Sequence, residues 1–250
     1  MNILKSKEFA YILGTINIGD GWISYNPIQK RYNIGLVSID YELIEYFSLC
    51  CLKIFDKSPN IYLKKSTNAN WKDRYSAYLC SKHIVEFFLE LAPLEYYRDQ
   101  TSQIVPCVFD FSLELKASYL QAFFDGQGSV LTKNNIITGA KKRQTTLIDI
   151  QKILDSMSIK SSVKKNAVVI CNKNIPKYKE LIGFQCQRKL DKLNQIPEPF
   201  YQREFTDHEV NQIINLYYKN VAWRQIAKYL KCSKGAIQYR IEKHCKNSPL

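Results

Sequence analysis

Histidine is scarce in this sequence, with three in 250 residues, and none of the eight cysteines stands in a CxxC pair. Tetrahedral zinc sites are built from such pairs and from histidines, so the composition argues against a zinc centre. The scattered thiols read instead as small buried hydrophobes. No apolar run approaches the roughly 20 residues of a membrane span, and the first residues lack the pattern of a secretory signal. The chain is therefore expected to be intracellular, in cytoplasm, nucleoid or an organelle matrix, with no membrane partner. Acidic residues are in deficit, 23 against 36 Lys and Arg, which leaves a net charge of +13 and a pI near 9.3. Such an excess implies an anionic partner, most often nucleic acid. Hydrophobic residues are plentiful at 46%, as are aromatics at 13%. The chain is thus a packed globular protein with length for one large domain or two modest ones.

One kind of stretch occurs twice. Residues 9–23 read FAYILGTINIGDGWI, and residues 118–130 read SYLQAFFDGQGSV. Each is an apolar helical run that ends in Gly, an acidic or amide residue, and Gly, then passes into β-prone residues. Aligned on that ending, Thr15 matches Ala122, Gly19 matches Gly126, Asp20 matches Gln127, and Asp125 falls opposite Ile18, with the copies 107 positions apart. That spacing is too long for a solenoid and suits two similar half-domains. Small residues four apart, Thr15/Gly19 and Ala122/Gly126, share a helix face and would let two backbones approach closely. The terminal glycines suit a chain leaving a helix through a left-handed or otherwise restricted conformation. Pairing the two helices brings Asp20 and Gln127 together at one end.

These stretches resemble the two LAGLIDADG helices of a single-chain homing endonuclease. The second is close to the usual form of that family, and the first has Thr15 where the family often has Gly. The resemblance implies an α+β fold, a pseudo-twofold pair of αββαββα half-domains whose antiparallel sheets form a saddle over duplex DNA. It implies that the last acidic position of each motif binds the divalent metals that cut DNA. Asp20 fits that role, and Gln127 occupies the second position without a charge. Gly19 and Gly126 stand with them in the expected metal site. Mg²⁺ is the expected cofactor, with Ca²⁺ or Mn²⁺ able to substitute. Asp125 is expected to be structural, near the helix interface.

Read in order, the chain repeats one pattern. After the first motif, strands are predicted over 22–25 and 31–39 around a turn at Asn26-Pro27. A helix over 41–55 follows with Asp40 as its N-cap. Strands over 60–65 and 74–80 flank a polar loop containing Trp71, and a helix over 82–91 stops at Pro93. The second half gives a helix over 113–124 and strands over 129–132 and 135–138. A helix over 145–157, strands over 160–164 and 167–171, and helical residues 177–193 complete it. The half-domains are predicted at 1–100 and 101–198, with a linker at 197–199. Residues 199–250 form a small all-α domain.

Residues 205–250 hold eight Lys or Arg against three Asp or Glu. Three helices are predicted there, over 206–220, 223–231 and 234–245, and Thr206 with Glu209 makes a capping box. Residues 225–241 resemble a helix-turn-helix. Ala227 sits at the helix crossing, Leu230, Ile237 and Ile241 in its core, Ser233 at the cap of the second helix, and Lys231 where the turn commonly has Gly. Lys234, Gln238 and Tyr239 are expected to face outward toward phosphates or base edges. In the main domain Arg31, Lys64, Lys72, Arg74, Lys133, Lys141 and Lys164 lie on or beside predicted strands and are candidate DNA contacts.

The expected activity is site-specific, Mg²⁺-dependent hydrolysis of double-stranded DNA by a monomer, weakened or inactivated by Gln127. The resemblance implies mobility of an intron or intein that encodes the chain, and the initial Met with the lack of splice-junction features makes an intron-encoded or free-standing gene the expectation over an intein. Two alternatives stay open: a non-cleaving transcription regulator on the same scaffold, favoured by Gln127, and an RNA maturase.

Overall fold

The computed structural model describes residues 3–68, 70, 72–98, 103–197 and 205–247, excepting the side chains of residues 243 and 245–247; Trp71 and most of the expected linker lie outside that set. The chain divides into two compact units, Met1–Ile196 and Pro197–Leu250. Among the described residues no helix is long and apolar enough to cross a membrane.

The first unit begins with α1 (Lys7–Asn17), whose N-terminus is closed by Ser6, the side chain of which accepts from the Phe9 N–H at 3.1 Å. Every residue from Phe9 to Asn17 is buried. A helix that is apolar nearly all round has to be covered on all sides, and α1 is accordingly central. β1 (Gly21–Asn26) and β2 (Arg31–Ser38) form a hairpin. In its turn the Asn26 side chain accepts from the Gln29 N–H at 3.0 Å, and Lys30 takes a left-handed φ of 50°. α2 (Tyr41–Phe55), β3 (Asn60–Lys64), β4 (Arg74–Cys80) and α3 (Lys82–Leu91) complete the first half. The second half runs α4 (Leu113–Gln127), β5 (Gly128–Leu131), β6 (Ile136–Ala140), α5 (Gln144–Ser156), β7 (Ser161–Lys164), β8 (Ala167–Cys171), α6 (Ile175–Leu181) and α7 (Gln187–Asn194).

The two antiparallel sheets have the same order, β1-β2-β4-β3 and β5-β6-β8-β7. Alternation along the strands sends Ile34, Leu36, Ala77 and Leu79 of the first sheet inward, and Val130, Ile137, Val168 and Ile170 of the second. The fold is the expected α+β pair of repeated halves, each with one open sheet face.

Three local expectations are corrected. The predicted helix over 177–193 is two helices, parted where Gly183 takes a φ of +60° and its N–H bonds to the Tyr178 carbonyl. Asp40 occupies the N-cap position of α2 but makes no side-chain cap bond. Its carboxylate turns to the second half, where it accepts from Arg188 Nη2 at 2.9 Å and from the Cys186 thiol at 3.3 Å. The glycines that end the two motifs are not there for left-handed backbone, since Gly183 is the positive-φ glycine of the described chain. Their reason is space, as shown below.

The second unit packs α8 (Asp207–Tyr218), α9 (Trp223–Tyr229) and α10 (Lys234–Asn247) around Ile213, Ile226, Ala227, Leu230, Ile237 and Ile241. Thr206 and Glu209 cap α8 reciprocally. Lys231 adopts the left-handed conformation, φ 50°, between α9 and α10, and the Ser233 hydroxyl accepts from the Ala236 N–H at 3.1 Å. Tyr239 is exposed. The Lys234 ammonium lies 5.7 Å from the Trp223 ring centroid, and the Gln238 amide donates to Glu242 at 2.8 Å.

Candidate active site and nucleic-acid interface

The two halves meet along α1 and α4, and one glycine sets how closely. A Cβ on Gly14 would stand 2.4 Å from the Tyr119 carbonyl oxygen and 3.0 Å from the Ala122 Cβ. Gly14, not Thr15, therefore faces Ala122. Thr15 is buried and turns its hydroxyl to the Tyr11 carbonyl at 2.9 Å. Reciprocal bonds cross the seam. The Tyr11 hydroxyl donates to Asp125 Oδ2 at 3.1 Å, and the Tyr119 hydroxyl donates to Asn17 Oδ1. Tyr11 precedes Asn17 by six positions, as Tyr119 precedes Asp125. The counterpart of Asp125 is thus Asn17 rather than Ile18, and both are seam residues. Asn17 also donates to the Tyr96 and Gln103 carbonyls at 2.7 and 2.8 Å, tying the segment after α3 to the end of α1.

Upstream of Asn17 the repeats match with one offset, and at Asp20 and Gln127 with an offset shorter by one. The first copy therefore carries one extra residue, Ile18, which is fully buried. The last turn absorbs it: the Gly14 carbonyl accepts from the Ile18 N–H at 3.1 Å and from the Gly19 N–H at 2.8 Å. The second bond spans five residues, a π-type turn of the kind that accommodates single insertions. α4 has no such break and runs on to Gln127.

Beyond the seam the Gln127 amide donates to the Asp20 carboxylate. The glycines permit this approach. A Cβ on Gly126 would stand 2.9 Å from the Asp20 backbone nitrogen, and one on Gly19 would stand 3.2 Å from the Ala122 carbonyl oxygen. Asp20 and Gln127 line a cavity of about 700 Å³ together with Lys64, Lys65, Lys72, Arg74 and Lys141. Asp20 is the one carboxylate among its described lining residues. Lys141 is 6% exposed in the cavity wall. Gly19 also lines the cavity, whereas Arg31, Lys133 and Lys164 are exposed outside it.

Lys64 and Arg74 are direct cross-strand partners of β3 and β4. Two cationic side chains side by side on one strand pair suit a phosphate, which both could contact. Replacing both with Ala is expected to reduce the salt dependence of duplex binding by about 1.8 in log K against log salt, at roughly 0.9 per phosphate contact. Fluorescence anisotropy on one duplex across a salt series measures this, and an unchanged slope would remove the two residues from the interface.

Behind Gln127 lies a group hidden by its residue type. Lys189 of α7 is 6% exposed. Its ammonium donates to the carbonyls of Phe124 at 3.0 Å, of Asp125, and of Gly126 at 3.2 Å. Burial pushes its pKa down, against the opposing pull of Cys186, Asp125 and Asp20. The signal in sequence is the row Lys189, Leu193, Ile196, a lysine at the start of a buried helical stripe. Asp125, 2% exposed, accepts at Oδ1 from the N–H groups of Gln185 at 2.9 Å and Cys186 at 3.1 Å. Burial raises its carboxyl to about 6, while these donors, Tyr11 and Lys189 hold it down. Asp40, Glu42 and Cys186 also converge, but Arg188 neutralises Asp40 and the group is apart from the cavity lining. Burial opposes ionisation of Asp40, yet the Arg188 and Cys186 bonds outweigh it and lower its pKa.

Two motif helices packed along one another, each in a half that carries one four-stranded antiparallel sheet, match the fold of the LAGLIDADG homing endonucleases. Among solved structures the chain resembles the homing endonuclease I-WcaI bound to its DNA recognition sequence, with 19% identity and a TM-score of 0.55 over 74% of this chain and 87% of that one. It resembles I-DmoI in complex with DNA and Mn with 15% identity and a TM-score of 0.54, over 72% of this chain and 97% of that one. No family model matches the chain. An uncharacterized protein of Methanocaldococcus jannaschii is 33% identical over 131 residues, covering 52% of this chain and 44% of that protein. The glutamine–fructose-6-phosphate aminotransferase of the same organism is 24% identical over 203 residues, covering 76% of this chain and 17% of the enzyme. The chain spans less than half the length of either relative.

Proposed function

We propose that this chain binds a specific duplex DNA sequence on its saddle and hydrolyses phosphodiester bonds there with Mg²⁺, as a homing endonuclease. The observation that carries this reading is the hydrogen-bonded pair of Asp20 and Gln127 beside a cavity rich in Lys and Arg. Asp20 would hold a hard divalent ion, which favours few protein oxygens and completes its shell with water and phosphate. When bound, the ion supplies charge stabilisation and an activated water for in-line displacement. The water oxygen would form a bond to phosphorus as the bond to the 3′ oxygen breaks, the water giving up a proton to solvent and the departing 3′ oxygen taking one from it, which leaves a 5′ phosphate and a 3′ hydroxyl. Lys64, Lys72, Arg74 and Lys141 bind the duplex backbone, and the glycines at 19 and 126 keep the two helix ends close. Residues 199–250 act as a helix-turn-helix that extends the contact, with Lys234, Gln238 and Tyr239 on α10.

A second reading, a non-cleaving regulator, is favoured by Gln127, which contributes no charge. The test is incubation of the full chain with a randomised duplex library in Mg²⁺, in Ca²⁺ and in EDTA, followed by sequencing of ends. Recurrent ends that require Mg²⁺ support the nuclease. Tight selection of one sequence with no ends in Mg²⁺ would leave the regulator.

A further inference from the structure

The Gln127 end of the site does not fit a divalent ion. Its side chain is neutral, and its amide donates to Asp20. The Gly126 carbonyl, which would be a second oxygen there, accepts from Lys189. The cavity offers no further described carboxylate. Lys189 gathers three carbonyls of the α4 end, those of Phe124, Asp125 and Gly126, on its one nitrogen.

We infer that Lys189 takes the place of a second metal ion: a protein-borne cation closes the end of α4 from behind, and the chain has one divalent-cation position, held by Asp20. The inference rests on the nuclease reading for its role but not for its test. The end of a helix concentrates carbonyl oxygens and partial negative charge. On α4 that charge is met by Lys189 rather than left to an ion from solution. Replacing Gln127 with Glu therefore does not by itself create a second metal position, because the Lys189 side chain remains against the Gly126 oxygen and opposes a second cation there. For the activity, one cation position serves one strand, so nicking is expected to exceed double-strand cutting.

The test is titration of the full chain with Mn²⁺ alone, reading free aquo-Mn²⁺ by electron paramagnetic resonance. One ion per chain is expected for the parent, none for Asp20→Asn, still one for Gln127→Glu, and two for Gln127→Glu combined with Lys189→Met. Two ions on the parent would overturn the inference. So would two on Gln127→Glu with Lys189 intact, an ion that survives Asp20→Asn, or a folded double variant that stays at one. Near-UV circular dichroism checks the double variant, and if it does not fold the Gln127→Glu arm decides. A chain that binds one Mn²⁺ through Asp20 and leaves all duplexes intact upholds this inference and ends the nuclease reading. Double-strand cutting with two bound ions does the reverse.

Discussion

Replacing Asp20 with Asn should abolish Mg²⁺-dependent cleavage, lowering the single-turnover rate by at least about 10³, or roughly 4 kcal/mol of transition-state stabilisation. The substitution keeps the size of the side chain and an oxygen for the Gln127 amide, so the seam is undisturbed. Duplex affinity measured in EDTA should hold or rise slightly, because one negative charge leaves a cavity lined by Lys64, Lys65, Lys72, Arg74 and Lys141. Loss of rate with binding intact separates a group that serves chemistry from one that serves folding. Cleavage within tenfold of the parent would remove Asp20 from the reaction.

Gly14→Ala is the second large effect, and it falls on stability. The added methyl would stand 2.4 Å from a main-chain oxygen of α4, an atom that cannot swing aside as a flexible side chain can. The helices must part, and parting strains the Tyr11–Asp125 and Tyr119–Asn17 bonds on the same seam. Overpacking of this kind costs about 3 kcal/mol or more. A loss of about 6–12 °C in the melting of the first unit follows for a domain of this size. Gly235→Ala in α10 is the control, since the nearest atom to its added Cβ is 3.9 Å away. It should be neutral or gain up to about 1 kcal/mol from helix propensity. Equal melting of the Gly14 variant and the parent would show that α1 and α4 do not meet as described.

Much of the fold was legible because its signals are local. Short β-prone runs and their turn residues marked the hairpins, and the Gly-x-Gly endings paired Asp20 with Gln127. The seam was misread because one extra residue leaves no trace in composition. An alignment anchored on the endings carried the slip back through the helix, setting Thr15 against Ala122 and leaving Asn17 without a role. Lys189 stayed hidden for a different reason: a lysine on a short polar helix reads as surface, and only the arrival of α7 at the end of α4 buries it. Asp40 had the residue type of a cap and the position of one, but Arg188, distant in sequence, took its carboxylate. The glycines were correctly marked as special and as permitting close approach, while the left-handed backbone also expected of them is not found. Backbone freedom and lack of bulk both select glycine, and distances alone separate them.

The turn at Ile18 also gives the molecule a sense of direction. An added residue in an interface helix would ordinarily rotate everything beyond it by about 100°. Here the slip is confined to one turn, with the seam in step before it and the strand in step after it. The two halves are nonetheless not interchangeable, since this turn is present in one alone and their strands differ in length. Under the proposed function a perfectly palindromic duplex would meet two different surfaces, so the target is expected to be one whose two halves differ.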